Sequence, residues 1–169
     1  LTIYEGTTAI QAQDFFFRKI VRDESRSLNH LLEKFQATAD GSGGGLDQER
    51  ARLGEAIENL KAMHQALMGF LMGSQEDPKS VYKVGLGSVP FLKAFGDLII
   101  GWLLITQAEI AAAALENGAS DRDRPYYEGK VTGAKFFADK QDRVLERRAQ
   151  LCGHNYDLAY KLDLLDLGR

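Results

Sequence analysis

Residues 88–116 read SVPFLKAFGDLIIGWLLITQAEIAAAALE, and this stretch decides the fold. Ser88 and Pro90 are residues that start helices, and glycine after Asn117 ends them. Large apolar side chains fall on almost every side of the predicted helix, which is typical of a helix at the centre of a bundle. They are Phe91, Leu92, Phe95, Leu98, Ile99, Trp102, Leu103 and Ile105. The sequence therefore predicts an all-α protein built around this segment.

The remaining chain consists of stretches rich in Leu, Ala, Glu, Lys and Arg, separated by glycine clusters. Apolar residues recur at helical spacing in each of them. The predicted long helices are 8–39, 47–72, 88–116 and 125–152, with short helices at 77–82 and 155–165. Short loops join antiparallel neighbours. The fold class is predicted to be an up-down bundle of four long helices plus a short terminal helix.

Composition excludes several functional classes. The formal net charge is -3 and the sequence pI is near 5.7, so no basic excess favours nucleic acid. Cys152 is the only cysteine and the three histidines lack zinc-ligand spacing, which predicts no metal and a reducing, cytoplasmic setting. The longest apolar run, 98–105, is shorter than the roughly 20 residues that cross a bilayer, so no membrane span is predicted.

Two internal features have a functional and a structural interpretation. His64 lies on the seam of the second helix, where a hydrogen-bonded boundary residue is favoured over a metal ligand. The glycines of 41–45 are favoured as an exposed turn over a phosphate loop, because no Lys-Ser/Thr pair follows them. The sequence has no Ser/His/Asp order and no Gly-x-Gly-x-x-Gly fingerprint. His64 and the glycines of 41–45 therefore give the bundle no convincing active site.

The informative residues lie at the N-terminus, where residues 3–11 read IYEGTTAIQ. Glu5 is a carboxylate beside Gly6, immediately before a long helix. An unhindered carboxylate on a short loop can act as a general base, and glycine allows a substrate to approach the backbone. The alternative is a plain helix entrance, with Thr7 or Thr8 as cap and Glu5 as a solvated neighbour.

The order Tyr-Glu-Gly-Thr, a variable pair and then Ile-Gln resembles the signature of acyl-CoA dehydrogenases. The resemblance implies that Glu5 is the catalytic base that removes the α-proton of an acyl thioester, and that Gly6 lies against that thioester. It implies that Thr7, Thr8 and Ala9 meet the flavin. The implied cofactor is FAD, the implied substrate is an acyl-CoA of fatty acid β-oxidation, and the implied electron acceptor is electron-transfer flavoprotein.

The close resemblance covers about the first 22 residues. The longer remainder is similar to the large bacterial members of the family, which carry an additional helical domain. Residues 1–22 are thus predicted to be the tail of the dehydrogenase C-terminal helical domain with the catalytic loop, and residues 23–169 the additional bundle. Most flavin and acyl-CoA contacts would then precede Leu1, so the isolated chain is predicted to be inactive.

A second interpretation is a non-catalytic helical module that binds a partner or forms homo-oligomers. Phe15, Phe16 and Phe17 supply more large rings than one helical stripe accommodates. Some of these rings are predicted to face another domain or a second subunit. We therefore expect a homo-oligomer.

Overall fold

The structure is a computed structural model that describes residues 7–154, with side chains described through residue 140. Its elements are helix α1 (Thr8–Asp14), a π-helical segment (Phe15–Val21), and helices α2 (Arg26–Ala39), α3 (Asp47–Gly73), α4 (Ser80–Glu116) and α5 (Arg124–His154). No strand occurs in the described residues, and the predicted all-α bundle is confirmed. The predicted helix 155–165 lies outside them.

Successive long helices run in opposite directions. Arg50, near the beginning of α3, binds Glu109 near the end of α4, and Lys130 in α5 binds Gln107 in α4. Helix α4 contacts α1, α2, α3, α5 and the π-helical segment, which confirms its central position. Apolar spacing predicts a seam on α3 of Leu53, Ile57, Leu60, Leu67 and Leu71. The first four are buried and Leu71 is partly buried against the same core, which confirms the seam.

The predicted continuous helix over 8–39 is wrong. The chain passes from α1 into the π-helical segment and then breaks, with left-handed φ values of 53° at Glu24 and 60° at Ser25. Asp23 Oδ2 accepts a hydrogen bond from the amide of Ser27 at 2.7 Å, which satisfies a free N–H at the start of α2. Apolar periodicity continues through the break, which is why the pattern alone predicted one helix.

The predicted break between 82 and 88 is also wrong, because α4 continues without interruption through Gly85, Gly87 and Pro90. The Ser88 hydroxyl donates to the Gly85 carbonyl at 2.8 Å, within the turn that precedes the proline. A Cβ at Gly85 would stand 3.3 Å from Gln13 Nε2, so this glycine permits close approach of α1. Tertiary packing thus outweighs the helix-breaking tendency of these residues.

Helix α4 is central without being covered on all sides. Ile100, Leu103 and Ile110 are 47%, 43% and 66% exposed. By length and composition α4 could also cross a membrane, a property that it shares with the core helices of many bundles. Its other face packs against α3 and α5, and we interpret it as a bundle helix.

The glycine-rich segment before α3 is a tight turn, as predicted. Gly43, Gly44 and Gly45 all have positive φ, between 63° and 89°, a conformation in which glycine has no steric cost. A Cβ at Gly44 would stand 3.2 Å from the methyl group of Ala112. The turn therefore lies directly against the C-terminal part of α4.

Candidate functional site

Three of the five predicted site residues can be located. Thr7, Thr8 and Ala9 are exposed at the beginning of α1, whereas Glu5 and Gly6 lie outside the described residues. The Thr7 side chain makes no cap hydrogen bond; its carbonyl instead accepts from the Gln11 amide at 2.8 Å. Thr7 therefore does not cap the helix through its side chain. We call residues 7–9 the leading turn.

Buried side chains one to two turns later fix the direction of the leading turn. Ala12 and Phe16 are fully buried, and the Phe16 ring meets the Phe91 ring edge-on, with centroids 5.9 Å apart. Phe15 packs against Phe95 at 5.3 Å. Aromatic pairs of this kind bury large areas and favour defined orientations. The leading turn therefore projects from a rigidly packed base.

The three phenylalanines face the core more completely than the sequence predicted. Phe16 is buried, and Phe15 and Phe17 are partly buried against the same cluster. The wider π-helical turn places consecutive rings around one side of the segment. Ile10 shows the opposite deviation: apolar spacing over 8–39 predicts it on the inner stripe of the helix, whereas it is 65% exposed.

A hydrogen bond closes the junction between the π-helical segment and α2. Ser25 Oγ and His64 Nε2 lie 3.0 Å apart, and the His64 ring packs 6.3 Å from that of Phe91. Burial lowers the pKa of His64 below its usual value, which favours the neutral imidazole at pH 7. The prediction of a hydrogen-bonded boundary histidine is confirmed. In the part of the chain that the structure describes, no cluster of three His, Cys, Asp or Glu residues could hold a metal.

An open groove of about 780 Å³ runs beside the π-helical segment. Its floor is apolar and consists of Phe15, Ile20, Leu28, Leu31 and Phe95, whereas Arg18, Lys19 and Arg22 stand at its rim. Asp14 neutralises Arg18 through a contact of 2.9 Å. Such a surface can contact an apolar group that carries negative charge.

The groove supplies no general base of its own. Asp23 is the carboxylate in its lining, and hydrogen bonds from Ser27 lower the pKa of that carboxyl. A carboxylate with a lowered pKa is a weak base, and this one is already engaged as a helix cap. The groove is therefore no candidate for a general-base site, and Glu5, the base predicted from the sequence, lies outside the described residues.

The charged pair inside the bundle is structural. Arg50 Nε and Nη2 donate to Glu109 Oε1 at 3.1 and 2.9 Å, and Nη1 donates to the Gly43 carbonyl at 2.8 Å. These bonds join the glycine-rich turn, α3 and α4. Because the donors of the guanidinium are directed at protein acceptors, this arginine stabilises the fold and is poorly placed to bind a ligand. Periodicity did not predict it, since an arginine among apolar residues looks like a surface residue.

The sequence is similar to those of known acyl-CoA dehydrogenases. A family model described as "Acetyl-CoA dehydrogenase C-terminal like" matches residues 28–159. The chain is 57% identical over 139 residues to the broad-specificity linear acyl-CoA dehydrogenase FadE5 of Mycobacterium tuberculosis. It is 36% identical over 142 residues to the 3-methylmercaptopropionyl-CoA dehydrogenase of Ruegeria pomeroyi.

The alignments cover most of this chain and a small part of each relative. They include 81% and 83% of the chain, but 23% of either relative. The chain thus spans about a quarter of the length of these curated proteins.

Proposed function

The chain belongs to the acyl-CoA dehydrogenase family, within its C-terminal region, and we propose that it carries the catalytic base of an FAD-dependent acyl-CoA dehydrogenase. One observation carries the proposal. Glu5 and Gly6 directly precede the leading turn in the sequence, and that turn is exposed at its tip and anchored by the buried Ala12 and Phe16 at its base. A base must be held in register with a substrate while remaining accessible to it. An anchored, exposed turn supports the proposal that the residue before it serves as such a base.

The proposed reaction removes two hydrogens from adjacent carbons of an acyl thioester. The Glu5 carboxylate takes the α-proton, and the β-hydrogen leaves with its electron pair as hydride, so that a Cα=Cβ double bond forms. The chemistry supplied by FAD is acceptance of that hydride. Gly6 allows the thioester to approach the main chain.

The leading turn suits the cofactor that the family uses. Thr7 to Ala9 are exposed, and the Thr7 side chain does not occupy the helix N-terminus. Amide groups at a helix N-terminus favour electron-rich and anionic partners. We propose that these three residues contact FAD. The proposal extends to electron-transfer flavoprotein as acceptor and to a cytoplasmic setting; the acyl chain that the protein accepts is left open.

Replacing Glu5 in the intact dehydrogenase that contains this region tests the assignment. Glu5→Gln keeps the shape of the side chain and removes its basicity, so turnover should fall at least about a thousandfold. Flavin absorbance and acyl-CoA binding should stay close to normal. Glu33→Gln, on the exposed side of α2, is the matched control and should leave turnover unchanged. Near-normal turnover of Glu5→Gln would remove Glu5 from the proposed role.

The 169-residue chain on its own should neither bind flavin nor oxidise acyl-CoA. The described residues contain no second wall opposite the leading turn, which stays exposed. The measurement is the visible absorption spectrum of the purified chain after addition of FAD and its removal by gel filtration. A yellow protein with stoichiometric flavin would contradict the expectation.

A second candidate function is that of a helical interaction module. The observation that favours it is the exposed apolar side of α4, which includes Ile100, Leu103 and Ile110. Exposed apolar surface of this kind marks contact sites. This role is compatible with the catalytic one and concerns a different face of the domain.

A further inference from the structure

The junction between the π-helical segment and α2 has a backbone conformation that is unfavourable in itself. Glu24 and Ser25 are consecutive residues in the left-handed region, with φ values of 53° and 60°, where a Cβ crowds the following carbonyl. The seven residues of the π-helical segment shortly before them form a type of helix that is rare and frequent at functional sites. Strain of this kind persists only where the surrounding structure over-determines the backbone. Contacts from elsewhere in the fold must therefore hold the junction.

Ser25 is the residue on which these contacts converge. Its amide donates to the Ile20 carbonyl at 2.9 Å, which closes a wide turn of the π-helical segment, and its own carbonyl accepts from the Asn29 amide at 2.9 Å in the first turn of α2. Its hydroxyl lies 3.0 Å from Nε2 of His64 in α3. Because Ser25 is 8% exposed, water competes little for this hydrogen bond. A single side chain of α3 thus pins the end of the π-helical segment.

The same histidine supports the residues that anchor the leading turn. The His64 ring packs 6.3 Å from the Phe91 ring, and the Phe91 ring meets the Phe16 ring at 5.9 Å. Phe16 and Phe91 are fully buried, and side chains in a closely packed interior do not shift independently of one another. His64 therefore supports the π-helical segment near its beginning through two rings and beyond its end through Ser25.

We propose that His64 is a positioning residue for the base Glu5, and that its contacts with Ser25 and Phe91 fix the direction in which α1 leaves the bundle. The inference rests on the proposed function, because it concerns the placement of Glu5. A displacement of about 1 Å in a catalytic site can lower the rate about a hundredfold. Substrate affinity does not depend on the exact placement of a base. Loss of the His64 contacts should thus slow proton removal and leave acyl-CoA binding intact.

The first test is steady-state kinetics of the intact dehydrogenase that contains this region. His64→Leu removes the hydrogen bond and keeps an apolar side chain against the aromatic ring, so kcat should fall at least about tenfold. The KM for acyl-CoA and the flavin content should stay within about twofold of native. His64→Gln retains a side-chain amide that can hydrogen-bond the serine hydroxyl and should restore most of kcat. His30→Leu, at an exposed histidine of α2, is the matched control and should leave kcat unchanged.

The isotope effect of deuterium at the α-carbon separates placement of the base from a loss of stability. With a displaced base, removal of the α-proton limits turnover more strongly, so the isotope effect on kcat should be larger in His64→Leu than in the native enzyme. Partial unfolding would lower the number of active molecules and leave the isotope effect unchanged. Ser25→Ala removes the other partner of the same hydrogen bond and should shift kcat and the isotope effect in the same direction.

Amide hydrogen exchange of the 169-residue chain provides a measurement without turnover. Ser25→Ala should accelerate exchange at least about tenfold over residues 11–21, because the end of the π-helical segment is no longer pinned to α3. The amides of residues 53–67, in the buried part of α3, should exchange at native rates. Native exchange rates over 11–21 in this variant would refute the contact as a support of α1.

The outcomes distinguish this inference from the proposed function. If Glu5→Gln is inactive while His64→Leu and Ser25→Ala keep native kcat, the positioning role alone is refuted. A parallel fall of flavin content and kcat with an unchanged isotope effect would make His64 a residue of the fold only, which also contradicts the proposal. Near-normal turnover of Glu5→Gln would remove the base and this inference together. If His64→Leu does not fold, Ser25→Ala decides by the same criteria.

Discussion

Replacing Arg50 by methionine should lower the free energy of unfolding by about 3 kcal/mol. The side chain of Arg50 is 4% exposed and binds Glu109 Oε1 through two nitrogens and the Gly43 carbonyl through the third. Methionine preserves the aliphatic stem but leaves Glu109 and the Gly43 carbonyl without their donor, and it also removes the 3.4 Å contact of Nη1 with exposed Asp47. Breaking a buried pair in this way costs about 3–5 kcal/mol. Because Glu109 is 33% exposed and can regain water, we expect the lower end of that range.

Arg52→Met is the matched control, two residues further along α3. Arg52 makes one contact of 3.1 Å with Asp139, and the two side chains are 22% and 69% exposed. Exposed pairs of this kind contribute less than about 1 kcal/mol. Urea denaturation followed by circular dichroism measures both variants. Equal losses for the two arginines, or a loss below about 1 kcal/mol for Arg50→Met, would refute the role assigned to the buried pair.

Three further predictions concern packing, titration and the backbone. Phe16→Ala should cost about 3–5 kcal/mol of unfolding free energy because Phe16 is fully buried, while Phe136→Ala, at a ring that is 61% exposed, should cost less than about 1 kcal/mol; comparable losses would contradict the assigned core. The lowered pKa of His64 means that the unfolded state binds the proton more tightly, so stability should be complete above pH 6.5 and fall as the pH drops below it; a His64→Gln variant with an undiminished slope in pH-dependent denaturation would disprove this source. Gly44→Ala, at φ +65° and against Ala112, should destabilise by about 1 kcal/mol or more, whereas Gly54→Ala, with open space inside α3, should stabilise by about 0.5–1 kcal/mol; thermal melts with the opposite order would refute the turn geometry.

The fold class and the long helices could be predicted because their signals are local. Apolar periodicity along the seam is enough to identify α3. The glycines before α3 identify a turn, because glycine adopts positive φ without steric cost. Two helix boundaries were predicted wrongly, and each error has a physical reason. At Glu24 and Ser25 the left-handed conformation is adopted by residues other than glycine, supported by a hydrogen bond to His64, which is distant in sequence. At Gly85 the glycine permits close helix packing and does not end the helix.

The candidate site rests on another kind of evidence, the resemblance of a motif. Thr7, Thr8 and Ala9 are exposed at a helix start, and their contact with flavin stays a prediction. The roles of Glu5 and Gly6 come from the resemblance to acyl-CoA dehydrogenases and stay predictions. The exposed apolar side of α4 could not be predicted, because apolar residues all round a helix do not show which side neighbouring helices leave uncovered. The division into residues 1–22 and 23–169 likewise stays a prediction.

The measurement closest to the central claim is the structure of the intact dehydrogenase with an acyl-CoA bound. If Glu5 is the base, one of its carboxylate oxygens should lie about 3–3.5 Å from the α-carbon of the thioester, on the side opposite the flavin. A Glu5 carboxylate that points into solvent, with another base at the α-carbon, would contradict the account and leave this region with its helical scaffold alone.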